Sequence, residues 1–107
     1  AAEVRLLPGA REVLAYFAHL PKAVITNGPA DIQWAALRNV GLEREFEAVV
    51  VSGDPDVAVR KPNPRIFHLA CERLGVPPHE TLMIGDHLEA DVEGARAAGL
   101  QALHLRR

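Results

Sequence analysis

Leu82-Met83-Ile84 is an apolar run that stops abruptly at Gly85-Asp86, and a helical pattern follows it with a second acid, Asp91, five residues beyond the first. So short and wholly apolar a run predicts a strand buried on both faces, and the helix after it predicts a β-to-α crossover. Asp86 then sits at the carboxyl end of a strand, the edge where open α/β sheets bind ligands. A spacing of five does not put two side chains on one helical face. The two carboxylates therefore converge only if Asp86 belongs to the strand end and Asp91 to the turn beyond. Converging carboxylates suit Mg²⁺, a hard cation held by one or two of them with waters and phosphate oxygens. The plainer reading is an Asp-capped helix whose acidic first turn complements the helix dipole.

The same alternation runs through the chain. Pro8-Gly9 marks a turn after an irregular lead-in, and Val13, Leu14, Phe17, Ala18 and Leu20 recur at helical spacing between Ala10 and Leu20. Pro21 ends that helix, and the strand Ala23-Val24-Ile25 runs into Thr26-Asn27-Gly28-Pro29. Pro29 opens a helix closed by Gly41, Ala48 to Val51 is a strand, Pro64 opens a helix stopped by Gly75, and Gln101 to Leu105 is a last strand after Gly99. The order α-β-α-β-α-β-α-β predicts a parallel sheet between helical layers, a three-layer α/β/α arrangement. At 107 residues the chain is expected to form one domain, 1–107.

Composition excludes more than it suggests. A net charge of −2 offers no argument for a nucleic-acid or membrane partner, and no segment approaches the roughly 18 apolar residues of a membrane span. A single cysteine, Cys71, rules out an internal disulfide framework; with no charged-then-apolar leader, the expected location is the cytoplasm. The five histidines show no metal-ligand spacing, and His87 stands out only as the neighbour of Asp86. Trp34 reads as a partly covered helix residue or as one facing a substrate or a second domain.

Two further stretches carry chemistry. Thr26-Asn27-Gly28, at a strand end before a helix, can bind an anion through side-chain donors and backbone N–H groups, or can be an ordinary turn. Lys61 precedes Pro62-Asn63-Pro64, a stiff segment that holds it as a point charge, where a plainer reading is a solvated loop lysine. Thr26, Lys61 and Asp86 all lie near strand carboxyl ends. Together they could surround a phosphate with a hydroxyl, a fixed cation and a carboxylate-bound Mg²⁺, the electrostatic apparatus of phosphoryl transfer.

The ordered set Ile25-Thr26-Asn27-Gly28, Arg60-Lys61-Pro62-Asn63-Pro64-Arg65-Ile66-Phe67, and Ile84-Gly85-Asp86 with Asp91 and Gly94-Ala95-Arg96-Ala97-Ala98-Gly99 resembles the haloacid dehalogenase superfamily of hydrolases. The resemblance runs from about Leu7 to the C-terminus. It implies a Rossmann-like core in which Thr26, helped by Asn27 and Gly28, binds the substrate phosphate. Lys61 would neutralise the nucleophile and the phosphoryl oxygens. Asp86 would be the main Mg²⁺ ligand, with Asp91 supporting the metal or orienting Lys61. The Gly-Asp pair implies a phosphatase, because the metal-free dehalogenases usually carry Ser-Asn there. The superfamily's first motif, a strand followed by Asp-x-Asp that supplies the nucleophile and the acid/base, is absent, as is the cap inserted after it. In the family that strand lies between those ending at Thr26 and Asp86, and Pro8 to Leu14 resembles the return from the cap.

The resemblance therefore implies a phosphatase of small phosphorylated metabolites, acting through an aspartyl phosphate, with residues 1–107 as the C-terminal part of a longer core. A missing N-terminal segment or a second chain would complete the sheet, and the 107 residues alone would be inactive. A second possibility is a non-catalytic phosphate- or metal-binding fragment that pairs with another chain. A receiver-type signalling domain is disfavoured, because Asp54 and Asp56 sit in a Pro-bearing loop. A gap at the sheet centre exposes strand edges, so the isolated chain is expected to be marginally stable, aggregation-prone or paired.

Overall fold

The structure is a computed structural model that describes residues 12, 15–39, 41 and 44–105. The expected lead-in, the Pro8-Gly9 turn and most of the first helix lie outside the described residues. At that helix's end, Ala18 N–H donates to Ala15 O at 3.3 Å and Leu20 N–H to Phe17 O at 3.0 Å.

The described elements are β1 (Ala23–Thr26), α1 (Ala30–Asn39), β2 (Ala48–Val51), α2 (Pro64–Leu74), a 3₁₀ turn (Pro78–Glu80), β3 (Leu82–Gly85), a π-helical turn (Leu88–Glu93) continuing as α3 (Gly94–Ala97), and β4 (Gln101–His104). Both strand pairs are parallel, as the alternation of strands and helices predicts. β1 pairs with β2 from Ala23↔Ala48 to Thr26↔Val51, and β3 pairs with β4 from Leu82↔Gln101 to Gly85↔His104. No ladder joins β1 to β3 among the described residues, so the strands form two two-stranded ladders. The break falls between the strands ending at Thr26 and Asp86.

Burial follows from that break. In a closed sheet the inner strands are the most covered, yet here β1 is half-buried along its length and β3 begins exposed at Leu82, whereas Val50 and Val51 of β2 are inaccessible. The core lies beneath the ladders, where Val50, Ile66, Phe67, Ala70, Cys71, Ala95, Ala98 and Leu100 pack together, joined at their margin by Ile25, Met83 and Ala102. Helix α2 crosses β1, β2 and α3, so its apolar face fastens the two ladders to each other. Each fully buried side chain such as Ile66 or Phe67 contributes about 2 kcal/mol by leaving water.

Helix α2 shows how the sequence places its ends. Asn63 Oδ1 accepts from Arg65 N–H at 2.9 Å, Pro64 needs no donor in the first turn, and Gly75 closes the helix in the left-handed region at φ 71°. Asn63→Ala is expected to cost about 1 kcal/mol, read by urea denaturation; an unchanged midpoint would mean that the cap is not used. The last helix begins earlier and more loosely than its apolar spacing suggests. His87 caps it, its Nδ1 accepting from Ala90 N–H at 3.0 Å, and Asp91 lies inside the first, π-type turn. Among the described residues no helix is long and apolar enough to cross a membrane.

Candidate functional site

The turn after β1, the loop before α2 and the segment after β3 meet through Lys61. Asn27 binds the main chain of Lys61 twice: its Oδ1 accepts from Lys61 N–H at 2.9 Å, and its Nδ2 donates to Lys61 O at 3.2 Å. On the other side the loop is held by Gly94, where an added Cβ would lie 2.9 Å from Pro62 Cβ and 3.0 Å from Phe67 Cε2. The backbone of Lys61 is thereby fixed between the ladders, and its side chain is aimed.

Lys61 Nζ donates to Ile25 O at 3.1 Å and pairs with Asp91 Oδ1 at 2.8 Å. The carbonyls of Lys22 and Thr26 accept from Glu47 N–H and Ser52 N–H on the β2 side. Because carbonyl direction alternates along a strand, Ile25 O faces the other edge of β1, the one that carries no ladder among the described residues. The ammonium therefore caps an edge carbonyl of β1 while its charge is matched from beyond β3.

Asp91 is held as tightly. Its Oδ2 accepts from His87 N–H at 3.1 Å, and its Oδ1 has the Lys61 charge as partner with no directed hydrogen bond. The side chains are nearly closed to solvent, 13% and 7% exposed for Lys61 and Asp91. Gly85 makes room for this: a Cβ there would lie 2.4 Å from Asp91 Oδ2 and 2.6 Å from its Cγ. That close approach gives the Gly-Asp pair a physical reason, since any side chain at Gly85 displaces the carboxylate that meets Lys61.

Asp86 stands exposed at the end of β3, where its main-chain carbonyl accepts from His104 Nε2 at 3.1 Å. No three His, Cys, Asp or Glu side chains converge as a metal cage among the described residues. Oxygen donors from one or two carboxylates suffice for a cation that keeps its waters, so Asp86 with Asp91 nearby in sequence fits a Mg²⁺ site. Asp91, already shared between Lys61 and His87 N–H, fits the orienting role better than that of a principal ligand.

The expected anion donors are all engaged by the protein itself. Thr26 Oγ1 donates to Gln33 Oε1 at 2.9 Å, the Asn27 amide holds Lys61, and Gly28 N–H donates to Ser52 Oγ at 2.8 Å. Gln33, fully enclosed, was not legible as a site residue; the available signal is a long amide on the stripe of α1 that also buries Leu37. Asp54 and Asp56, the Asp-Pro-Asp of the loop after β2, do not serve the crevice. Trp34 Nε1 donates to Asp54 at 3.2 Å, and Asp56 pairs with Arg73 at 2.7 Å.

A family model for haloacid dehalogenase-like hydrolases matches residues 1–99. The glyceraldehyde 3-phosphate phosphatase of Methanopyrus kandleri is 42% identical over 83 residues, 78% of this chain and 35% of that protein. A haloacid dehalogenase (HAD) phosphatase from Thermococcus onnurineus superposes with a TM-score of 0.85 at 35% identity, over 94% of this chain and 46% of that one. The putative HAD-hydrolase YfnB of Bacillus subtilis, in a magnesium-bound crystal, gives 0.81 at 31% identity, over 92% of this chain and 43% of that one. The chain thus spans about a third to a half of the length of these relatives.

Proposed function

This chain belongs to the haloacid dehalogenase-like hydrolase family, and from that membership we propose that it is the phosphate-, lysine- and metal-bearing part of a Mg²⁺-dependent phosphatase of small phosphorylated metabolites. The observation that carries the reading is Lys61 Nζ, held between Ile25 O and Asp91 Oδ1 where the two ladders meet. A cation fixed there by two acceptors undergoes little rearrangement when phosphoryl charge arrives, which is the condition for electrostatic catalysis.

The nucleophile is proposed to lie outside residues 1–107, since Asp54 and Asp56 are engaged elsewhere. Its carboxylate would attack phosphorus, and the P–O ester bond would break as the alcohol leaves with a proton from the acid/base carboxylate of the same absent motif. Water, giving its proton back to that carboxylate, would hydrolyse the aspartyl phosphate to inorganic phosphate. Thr26 would contact the phosphoryl oxygens, and Asp91 would keep Lys61 aimed at them. Asp86 would hold Mg²⁺, which when bound neutralises phosphoryl charge. The phosphatase named for Methanopyrus kandleri and the magnesium in YfnB support this reading.

The test is turnover of p-nitrophenyl phosphate with and without Mg²⁺, together with the intact mass of the same sample. Turnover is expected only with Mg²⁺ and in a species heavier than 11.6 kDa, and Asp86→Asn is expected to lower it by about 100-fold. Turnover that survives EDTA, or that arises from residues 1–107 alone, would contradict the assignment. A second reading is a non-catalytic phosphate- or metal-binding or regulatory fragment that pairs with another chain, and the absence of a ladder between β1 and β3 among the described residues favours it. Saturable phosphate binding by the heavier species with no hydrolysis would select it.

A further inference from the structure

We propose that Gln33 is a positioning residue for Thr26, its buried amide deciding whether the Thr26 hydroxyl can donate to a phosphoryl oxygen. The proposal rests on the phosphate-binding reading of Thr26 given above.

Gln33 is 2% exposed, and its Oε1 lies 2.9 Å from Thr26 Oγ1. A hydroxyl has one proton and two lone pairs, and an amide oxygen only accepts. In this arrangement the Thr26 proton points at Gln33 and lone pairs face outward. An anionic oxygen approaching that hydroxyl would meet lone pairs and no donor. An amide turned through 180° fills the same volume with its nitrogen where its oxygen stood. Nε2 then donates to Thr26 Oγ1, and the hydroxyl proton is free to bond a phosphoryl oxygen. The two orientations set the hydroxyl as acceptor or as donor.

The surroundings suit a glutamine and little else. Gly28 lies directly over the amide: a Cβ built there would be 2.2 Å from Gln33 Nε2 and 3.0 Å from its Cδ. The turn thus leaves the room the amide occupies, and its φ of 145° is one that glycine adopts readily. Glutamate, once ionised, could only accept and would lock the Thr26 proton inward. Methionine has a similar length and could do neither.

Inorganic phosphate titrated into the isotope-labelled protein tests this, with affinity read from the NMR spectrum and the Gln33 side-chain NH₂ pair followed directly. The NH₂ pair is expected to shift with the same midpoint as the Thr26 amide. Thr26→Val is expected to weaken phosphate binding about tenfold, whereas Gln33→Met, which removes the acceptor that competes for the hydroxyl proton, is expected to tighten it about threefold, a gain lost in the double variant. Wild-type or weaker affinity in Gln33→Met, or a gain that survives in the double variant, overturns the proposal and leaves the phosphate reading standing. Undiminished binding in Thr26→Val removes the phosphate reading and the proposal with it. If Gln33→Met does not fold, the wild-type titration decides, because an NH₂ pair that stays still as phosphate saturates overturns the proposal.

Discussion

Lys61→Met is expected to destabilise the protein by about 3 kcal/mol and, in the longer protein proposed to carry the nucleophile, to abolish the proposed phosphatase turnover. The stability loss comes from what is left behind. Asp91, 7% exposed at its side chain, would keep its contact with His87 N–H but lose the charge that matches Oδ1. Replacing both partners with neutral groups removes the charge that is costly to bury. Lys61→Met/Asp91→Asn is therefore expected to recover about 2 kcal/mol relative to Lys61→Met, while turnover stays lost. Urea denaturation of the wild-type protein and the two variants gives the stabilities. A double variant no more stable than Lys61→Met would show that the pair is not energetically coupled.

Gly85→Ala is expected to be nearly as damaging, although it adds one methyl group and removes no charge. That methyl would lie within 2.6 Å of three Asp91 atoms, so the carboxylate must leave Lys61 or the strand must shift. Overpacking of this kind costs about 1–3 kcal/mol before any loss of the ion pair. Gly75→Ala is the control, since its φ is 71° but nothing lies within 4 Å of an added Cβ; it should cost about 1 kcal/mol in backbone strain alone. Urea midpoints are expected to fall at least twice as far for Gly85→Ala as for Gly75→Ala, with turnover lost only in the former. Equal losses would mean that Asp91 adapts.

The elements were legible because short apolar runs, proline starts and glycine stops are local signals. Pro64 opening α2 and Gly75 closing it in the left-handed region are examples. The parallel pairing and the break between the strands ending at Thr26 and Asp86 were also legible, the first from the alternation of strands and helices and the second from the resemblance to the family. The placement of Asp91 within a π-type turn was not, because His87 caps through Nδ1, outside the usual capping residues. The least legible features join residues distant in sequence. Asn27 looked like a phosphate donor, yet its amide is occupied by the main chain of Lys61, 34 positions away. Gln33 looked like one polar residue on a helix, and only the fold shows its amide beneath Gly28 and against Thr26.

The unequal burial of the strands sets where the protein breathes. Val50 and Val51 are sealed while β1 and β3 are half-open, so amide exchange is expected to be slower in β2 than along the strands that deliver Thr26 and Asp86. A ligand that grips both strand ends would quiet the softest part of the molecule. Its binding would register as a rise in melting temperature and as slowed exchange in β1 and β3, with β2 scarcely changed.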